Sequence, residues 1–194
     1  MYRAVLDTCV LVPGRQRDFL LQLAAEEAYA PLWGSGILFE LDYVLARLDA
    51  QHGRDGSDEQ RKHLFEQMRR AFPDAEINAA KDREYDYGLN DADDGHVAHA
   101  AILGKADAIV TDDSRAGFKT SAILREAAIE VFHPHEFAAN TVAAHPAAGI
   151  RALVAMSQRM TTPAQSAREL LEELRTRCGM DEVAEILTPR LPTD

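Results

Sequence analysis

The sequence predicts an α/β protein: a three-layer α/β/α sandwich on a parallel sheet, followed by a C-terminal helical extension. Short apolar runs alternate with stretches of helical periodicity over residues 1–133, the pattern of a sheet covered on both faces. The runs Ala4-Val5-Leu6 and Ala108-Ile109-Val110 lack polar alternation, as strands buried on both sides do. After His133-Pro134 the chain turns Ala-rich and helical, which divides it into residues 1–139 and an extension over 140–194.

The elements follow in order. Arg3–Leu6 reads as a strand ending at Asp7. Arg15–Ala28 carries Phe19, Leu20, Leu23, Ala24 and Ala28 near helical spacing. Ala30–Trp33 is a second short strand. Ser35 is placed as the cap of a helix over Gly36–Asp49. Gly53–Ser57 is a polar loop, Asp58–Phe72 a helix ended by Pro73, and Glu76–Ala79 a short edge strand. Asp93–Leu103 is a helix stopped by Gly104. Asp107–Thr111 reads as a buried strand, Thr120–Ala128 as helix and Ile129–Phe132 as the last strand. The extension is expected as helices Pro134–Ala144, Ala147–Met160, Pro163–Cys178 stopped by Gly179, and Met180–Leu187, with Pro146 and Pro163 in first turns. The apolar stripe in Ala167–Leu174 is expected in a core or against a partner.

Composition narrows the class. With 46% hydrophobic and 27% charged residues the chain is an ordinary globular one. No apolar run approaches the roughly 18 residues a membrane span needs. The N-terminus enters a strand directly, without a signal-peptide layout, so a cytoplasmic protein is expected. Cys9 and Cys178 make neither a disulfide framework nor a zinc cluster. The net charge of −11 opposes a strong sequence-independent grip on nucleic acid. Residues 1–133 hold 15 basic against 24 acidic residues, and every candidate acid of a site lies there.

Asp7, Glu40, Asp94 and Asp113 each sit where a strand ends or an apolar helix opens. In an open parallel sheet ligands bind beyond the carboxyl ends of the strands, where Asp7 and Asp113 fall. Carboxylates beside apolar elements need compensation, and no Lys or Arg adjoins them in sequence. Converging carboxylates without cations indicate a divalent ion with hard oxygen ligands, Mg²⁺ or Mn²⁺, and chemistry on phosphate. Asp7 and Asp94 are the metal candidates. Thr8 and Thr111 can hold the carboxylates, and Asp91 can support Asp94. Asp112 and Asp113 are adjacent, so one is expected to enter the site, with Asp113 favoured because a turn follows it. Arg115 and Lys119 can meet a substrate phosphate or lie in a solvated loop. His96 and His99 share a helix, but packing suits them better than zinc, because no third soft ligand is near.

The stretches Val5-Leu6-Asp7-Thr8-Cys9-Val10-Leu11, Trp33-Gly34-Ser35-Gly36-Ile37-Leu38-Phe39-Glu40-Leu41, Asp91–Ala101 and Ala108-Ile109-Val110-Thr111-Asp112-Asp113 together resemble the PIN-domain nucleases, and within them the VapC-type toxins of toxin–antitoxin pairs. The likeness covers roughly residues 2–133, and the extension resembles that of a longer subgroup. It implies an acidic pocket holding Mg²⁺ or Mn²⁺, its acids matching Asp7, Glu40, Asp94 and Asp113. It also implies cleavage of RNA, commonly transfer RNA or a ribosomal RNA loop, an antitoxin whose tail blocks the pocket, and a tendency to dimerise. Gly95 stands where a larger, often basic residue is common, and Ser114–Phe118 is looser than the usual turn.

Two other readings compete. A silent interaction module could keep the fold without the chemistry. A phospho-accepting receiver domain needs an acidic pair after its first strand and a Lys at a later strand end; here Asp7 stands alone and Lys105 precedes its strand.

Overall fold

A computed structural model describes residues 1–53 and 57–191; most of the expected loop Gly53–Ser57, and residues 192–194 of the extension, lie outside the described residues. The order is β1 (Arg3–Leu6), α1 (Thr8–Leu11), α2 (Gly14–Ala25), β2 (Ala30–Gly34), α3 (Ser35–Gln51), α4 (Asp58–Ala71), β3 (Glu76–Ile77), α5 (Gly95–Leu103), β4 (Ala108–Val110), α6 (Ala122–Glu126), β5 (Glu130–Phe132), α7 (Pro134–Ala144), α8 (Pro146–Arg159), α9 (Ala167–Cys178) and α10 (Asp181–Leu187). Short 3₁₀ turns occupy Ala92–Asp94 and Phe118–Thr120. The α/β class, the parallel sheet and the C-terminal helices agree with expectation.

The strands form a five-stranded sheet in the order β3-β2-β1-β4-β5. β1 and β4 pair in parallel with Leu6 opposite Val110, and β2 and β3 pair in parallel with Trp33 opposite Glu76. Ala4, Val5, Leu6, Ala108, Ile109 and Val110 are all fully buried, which explains the absence of polar alternation. From β1 the chain works outward through β2 to β3, then returns to lay β4 on the other side of β1. That reversal makes the carboxyl ends of β1 and β4 the switch point of the sheet, the place where open parallel sheets bind their ligands.

The chain packs as two compact units, Met1–Val12 with Pro31–Val131, and Pro13–Ala30 with Phe132–Asp194. In the first, α5 lies against β1 and β4, and α3 against α1, α4 and α5. Arg61 of α4 reaches Asp42 and Asp49 of α3 at 3.1 and 3.4 Å. In the second, α2 joins α8 and α9, and α10 packs on α7, α8 and α9. Tyr29 packs edge-on against Phe137, with ring centroids 4.8 Å apart, and its hydroxyl donates to Leu20 O at 2.9 Å. Leu170, Leu171 and Leu174 are buried, so the stripe of α9 belongs to this core.

Some elements differ locally from expectation. Ser35 does not cap α3: Gly34 takes that position, and Ser35 Oγ instead accepts from Ala79 N at 3.2 Å, tying α3 to the segment after β3. Pro163 does not open α9. Ser166 caps it in a box with Glu169, each side chain accepting from the other's backbone N–H. The Ser-x-x-Glu spacing was the available signal. Asp7 caps α1, a helix too short for periodicity to reveal.

Candidate active site

Asp7 is the first residue past β1, and its own N–H still donates to Val110 O at 3.1 Å, so the parallel ladder fixes its position. Its side chain is 6% exposed. Oδ1 accepts from Thr8 N at 2.6 Å, and Oδ2 accepts from Thr111 Oγ1 at 2.7 Å and from Cys9 Sγ at 3.3 Å. Burial raises the Asp7 pKa, and the Glu40 charge adds to the rise, against the bonds from Thr111, Thr8 and Cys9. Register puts Thr111 beside Asp7, because Leu6 faces Val110 one residue earlier on each strand.

Thr111 also serves Asp113: its Oγ1 accepts from Asp113 N at 3.0 Å. Asp113 Oδ1 accepts from Arg115 N at 2.7 Å and Ala116 N at 3.1 Å, folding the following residues into a turn around the carboxylate. Asp112 is exposed, and its N–H donates to Cys9 Sγ at 3.3 Å. Asp94 sits at the N-cap of α5. Burial first, then the charges of Asp7, Asp91 and Asp113, push its pKa up to about 6, with Lys81 opposing. Asp113 is thus among the neighbours whose charge Asp94 feels. Asp91 Oδ1 accepts from Asp93 N at 2.9 Å and caps the 3₁₀ turn that delivers Asp94.

Glu40 belongs to a different electrostatic setting. Lys81 Nζ lies 2.6 Å from its Oε1, and Thr8 Oγ1 donates to Oε2 at 2.9 Å. His96 Nε2 stands 3.3 Å from Oε2, without hydrogen-bond alignment. Burial raises the Glu40 pKa, but His96, Lys81 and Thr8 outweigh it and hold the carboxyl at about 2. The expectation that the acids lack a compensating cation is therefore corrected: Lys81 pairs with Glu40 and also opposes the rise at Asp94.

Lys81 and His96 are site residues that sequence reasoning missed. Lys81 Nζ also donates to Asp93 O at 2.8 Å, and His96 Nδ1 donates to the same carbonyl at 2.9 Å. Both side chains brace Glu40 on α3 against the turn carrying Asp94. Lys81 lies in an irregular segment with no local signal. The clue to His96 was its place in the stretch Asp94-Gly95-His96, on a helix start that otherwise reads as core. Gly36 makes the brace possible. A Cβ there would stand 2.6 Å from His96 Cδ2, 2.8 Å from Ala79 O and 2.9 Å from Lys81 N.

Gly36→Ala should destabilise the protein by about 1–3 kcal/mol through overpacking, read as a lowered urea midpoint. Lys81→Met should lower any cleavage rate about tenfold by loosening Glu40, with Lys81→Arg retaining more of it. Glu40, with its pKa held down, contributes stability above pH 4.5 that fades as pH falls through about 2. The stability lost in Lys81→Met should therefore be largest near neutrality and narrow in strong acid, as urea unfolding at several pH values would read.

Arg115 and Lys119 are exposed on the segment after Asp113. His99 does not join a metal set; it stacks on Tyr85, with centroids 4.2 Å apart. Among the described residues, no group of three His, Cys, Asp or Glu side chains is arranged to hold a metal ion. The donor chemistry still suits one. Asp7, Asp94 and Asp113 offer only hard oxygens, and the proton affinity of Asp94 is raised by burial and like charge, a condition that a divalent cation would relieve.

Residues 3–115 match the family model of the PIN domain, and residues 134–189 match that of the VapC50 C-terminal domain. The chain belongs to the PIN-domain family, a class of nucleases that generally use divalent metal ions. Its two matches in this order are those of a VapC-type PIN toxin with a C-terminal extension. No curated protein and no solved structure gives a significant match to the chain. Among the described residues no helix is long and apolar enough to cross a membrane.

Proposed function

We propose that the protein is a metal-dependent endoribonuclease, the toxin of a toxin–antitoxin pair. The observation that carries this reading is the meeting of Asp7, Asp94 and Asp113 at the switch point of a parallel sheet, where burial first, and then the charges of Asp7, Asp91 and Asp113, raise the Asp94 pKa to about 6. Asp7 and Asp94 would hold the ion, Mg²⁺ or Mn²⁺, with Asp113 beside them. The bound ion supplies an activated water and offsets charge on the phosphate. In the overall step water oxygen bonds to phosphorus, the bond from phosphorus to one sugar oxygen breaks, and that oxygen leaves with a proton.

The chain's own residues do the rest. Thr111 holds Asp7 and Asp113 in one register, and Thr8 orients both Asp7 and Glu40. Glu40 is too weak a base at neutral pH to take a proton, and it suits orienting water through a carboxylate that stays charged. Asp91 and Asp112 shape the backbone around the acids. Arg115 and Lys119 are the candidate contacts to the substrate phosphate. Residues 1–139 are taken as the nuclease segment and 140–194 as the helical extension.

The remaining assignments rest on the family. The substrate is a transfer RNA or ribosomal RNA, the partner is a cognate antitoxin, the protein is a cytoplasmic homodimer, and no membrane is involved. The test is incubation of purified protein with total RNA and Mn²⁺ or Mg²⁺, followed by mapping of new RNA ends. Discrete cuts that chelator abolishes are expected. Intact RNA under both metals, together with normal growth on expression, would sink the reading.

A further inference from the structure

The segment 81–93 lies between β3 and the turn carrying Asp94, and the proposed reaction gives it no role beyond the Lys81 brace and the Asp91 cap. It walls a cavity of about 450 Å³, lined in part by Lys81, Arg83, Tyr85, Tyr87, Leu89 and Asp93. That volume is in the range of pockets that take small ligands.

The wall is pinned in place. Tyr87 O accepts from Ser121 Oγ at 2.6 Å, and Asn90 N donates to Ala116 O at 2.9 Å. At the other side, Gly95 lets the backbone of Tyr85 lie directly on the start of α5. A Cβ at Gly95 would stand 2.6 Å from Tyr85 O and 3.0 Å from Tyr85 Cβ. This gives the glycine in that motif a physical reason: the position where a larger residue is common has been cleared for the cavity wall.

His99 of α5 backs the aromatic lining. Its ring stacks on Tyr85, and Tyr87 Oη lies 2.7 Å from its Nδ1. Tyr85 Oη is buried and has no hydrogen-bond partner among the described residues. Arg83 is exposed and adds a planar cation. Asp82, Glu84 and Asp86 are exposed and add acceptors that repel phosphate. The wall thus offers π surface, a guanidinium plane and carboxylate acceptors, the chemistry that receives a splayed nucleobase and leaves its phosphate outside.

We propose that this cavity binds one unpaired base of the RNA strand, from a nucleotide neighbouring the scissile phosphate. Its location follows from the brace: Lys81 and Asp93, which line it, are bonded to each other, and they adjoin Glu40 and Asp94 respectively. The carboxylate acceptors favour a base with an exocyclic amino group over uracil. The inference rests on the nuclease reading and adds a determinant of which RNA sites are cut.

The test uses the full chain carrying Asp7→Asn and short single-stranded RNAs with 2-aminopurine at successive positions. Quenching at one position is expected, and Tyr87→Ala and Arg83→Ala should each weaken binding at least about fivefold and remove it. Tyr87→Phe should keep the quench, because the ring remains. Arg83 is exposed, so its variant reports on binding even if Tyr87→Ala melts early. Equal quenching at every position, unchanged affinity in Arg83→Ala, or a cavity that prefers a basic peptide to RNA would each overturn the proposal. If the unsubstituted protein cuts the same RNA while Arg83→Ala binds and selects sites as before, only the base pocket fails. If the unsubstituted protein neither binds nor cuts RNA, the nuclease reading fails and the pocket with it.

Discussion

Asp7→Asn is expected to abolish cleavage, lowering the rate by at least about a hundredfold, while the fold survives. Asn keeps an acceptor for Thr8 N, and its amide can donate to Thr111 Oγ1, which now accepts. Burial and the Glu40 charge both disfavour an ionised Asp7. Removing that charge should leave the metal-free melting temperature unchanged or a few degrees higher. Activity and stability should therefore move apart, a signature that a merely structural aspartate would not give. Cleavage time courses on a mapped RNA, thermal melts and growth on expression would read the three effects. Full activity in Asp7→Asn would remove the acid group from the reaction.

Mn²⁺ or Mg²⁺ should raise the melting temperature, and the rise should depend on pH. An ion binding only the native chain at about a hundred times its Kd stabilises it by about 2.7 kcal/mol, or about 5–10 °C for a chain of this size. The pKa of Asp94 is raised in the fold from 3.8 to about 6. Its protonated form therefore favours the metal-free fold below about pH 3.8, and that contribution is lost as pH rises through about 6. The ion competes with this proton. Stabilisation should be small at about pH 5 and complete above about pH 7, and Asp94→Asn should remove both the shift and its pH dependence. A melting temperature that stays flat across millimolar metal at both pH values would count against an ion held by these acids.

Much of this was legible in the chain. The unbroken apolar runs at Ala4–Leu6 and Ala108–Val110 announce strands buried on both faces, and the residue after each run must then lie at a strand end. That places Asp7 and Thr111–Asp113 without coordinates, because it needs only local pattern and the parallel rule. Ser166 and Glu169 show a signal present but passed over, since Pro163 offered an earlier helix start. The assignment of Pro13–Ala30 to the compact unit of the C-terminal helices had no local mark. An amphipathic helix declares that it has an apolar face but not which surface will cover it.

The types and order of the acids, the strand ends that carry them and the helical character of the extension were set by the sequence alone, because they depend on neighbours a few residues apart. Tertiary structure alone decided how the acids divide. It brought Lys81 and His96, from segments far from α3, to Glu40, and set Asp94 where burial and the charges of Asp7, Asp91 and Asp113 raise its pKa. The physical reason is that charge compensation acts through space over a few ångströms, so residues distant in the chain set it and nearest-neighbour patterns carry no record of them.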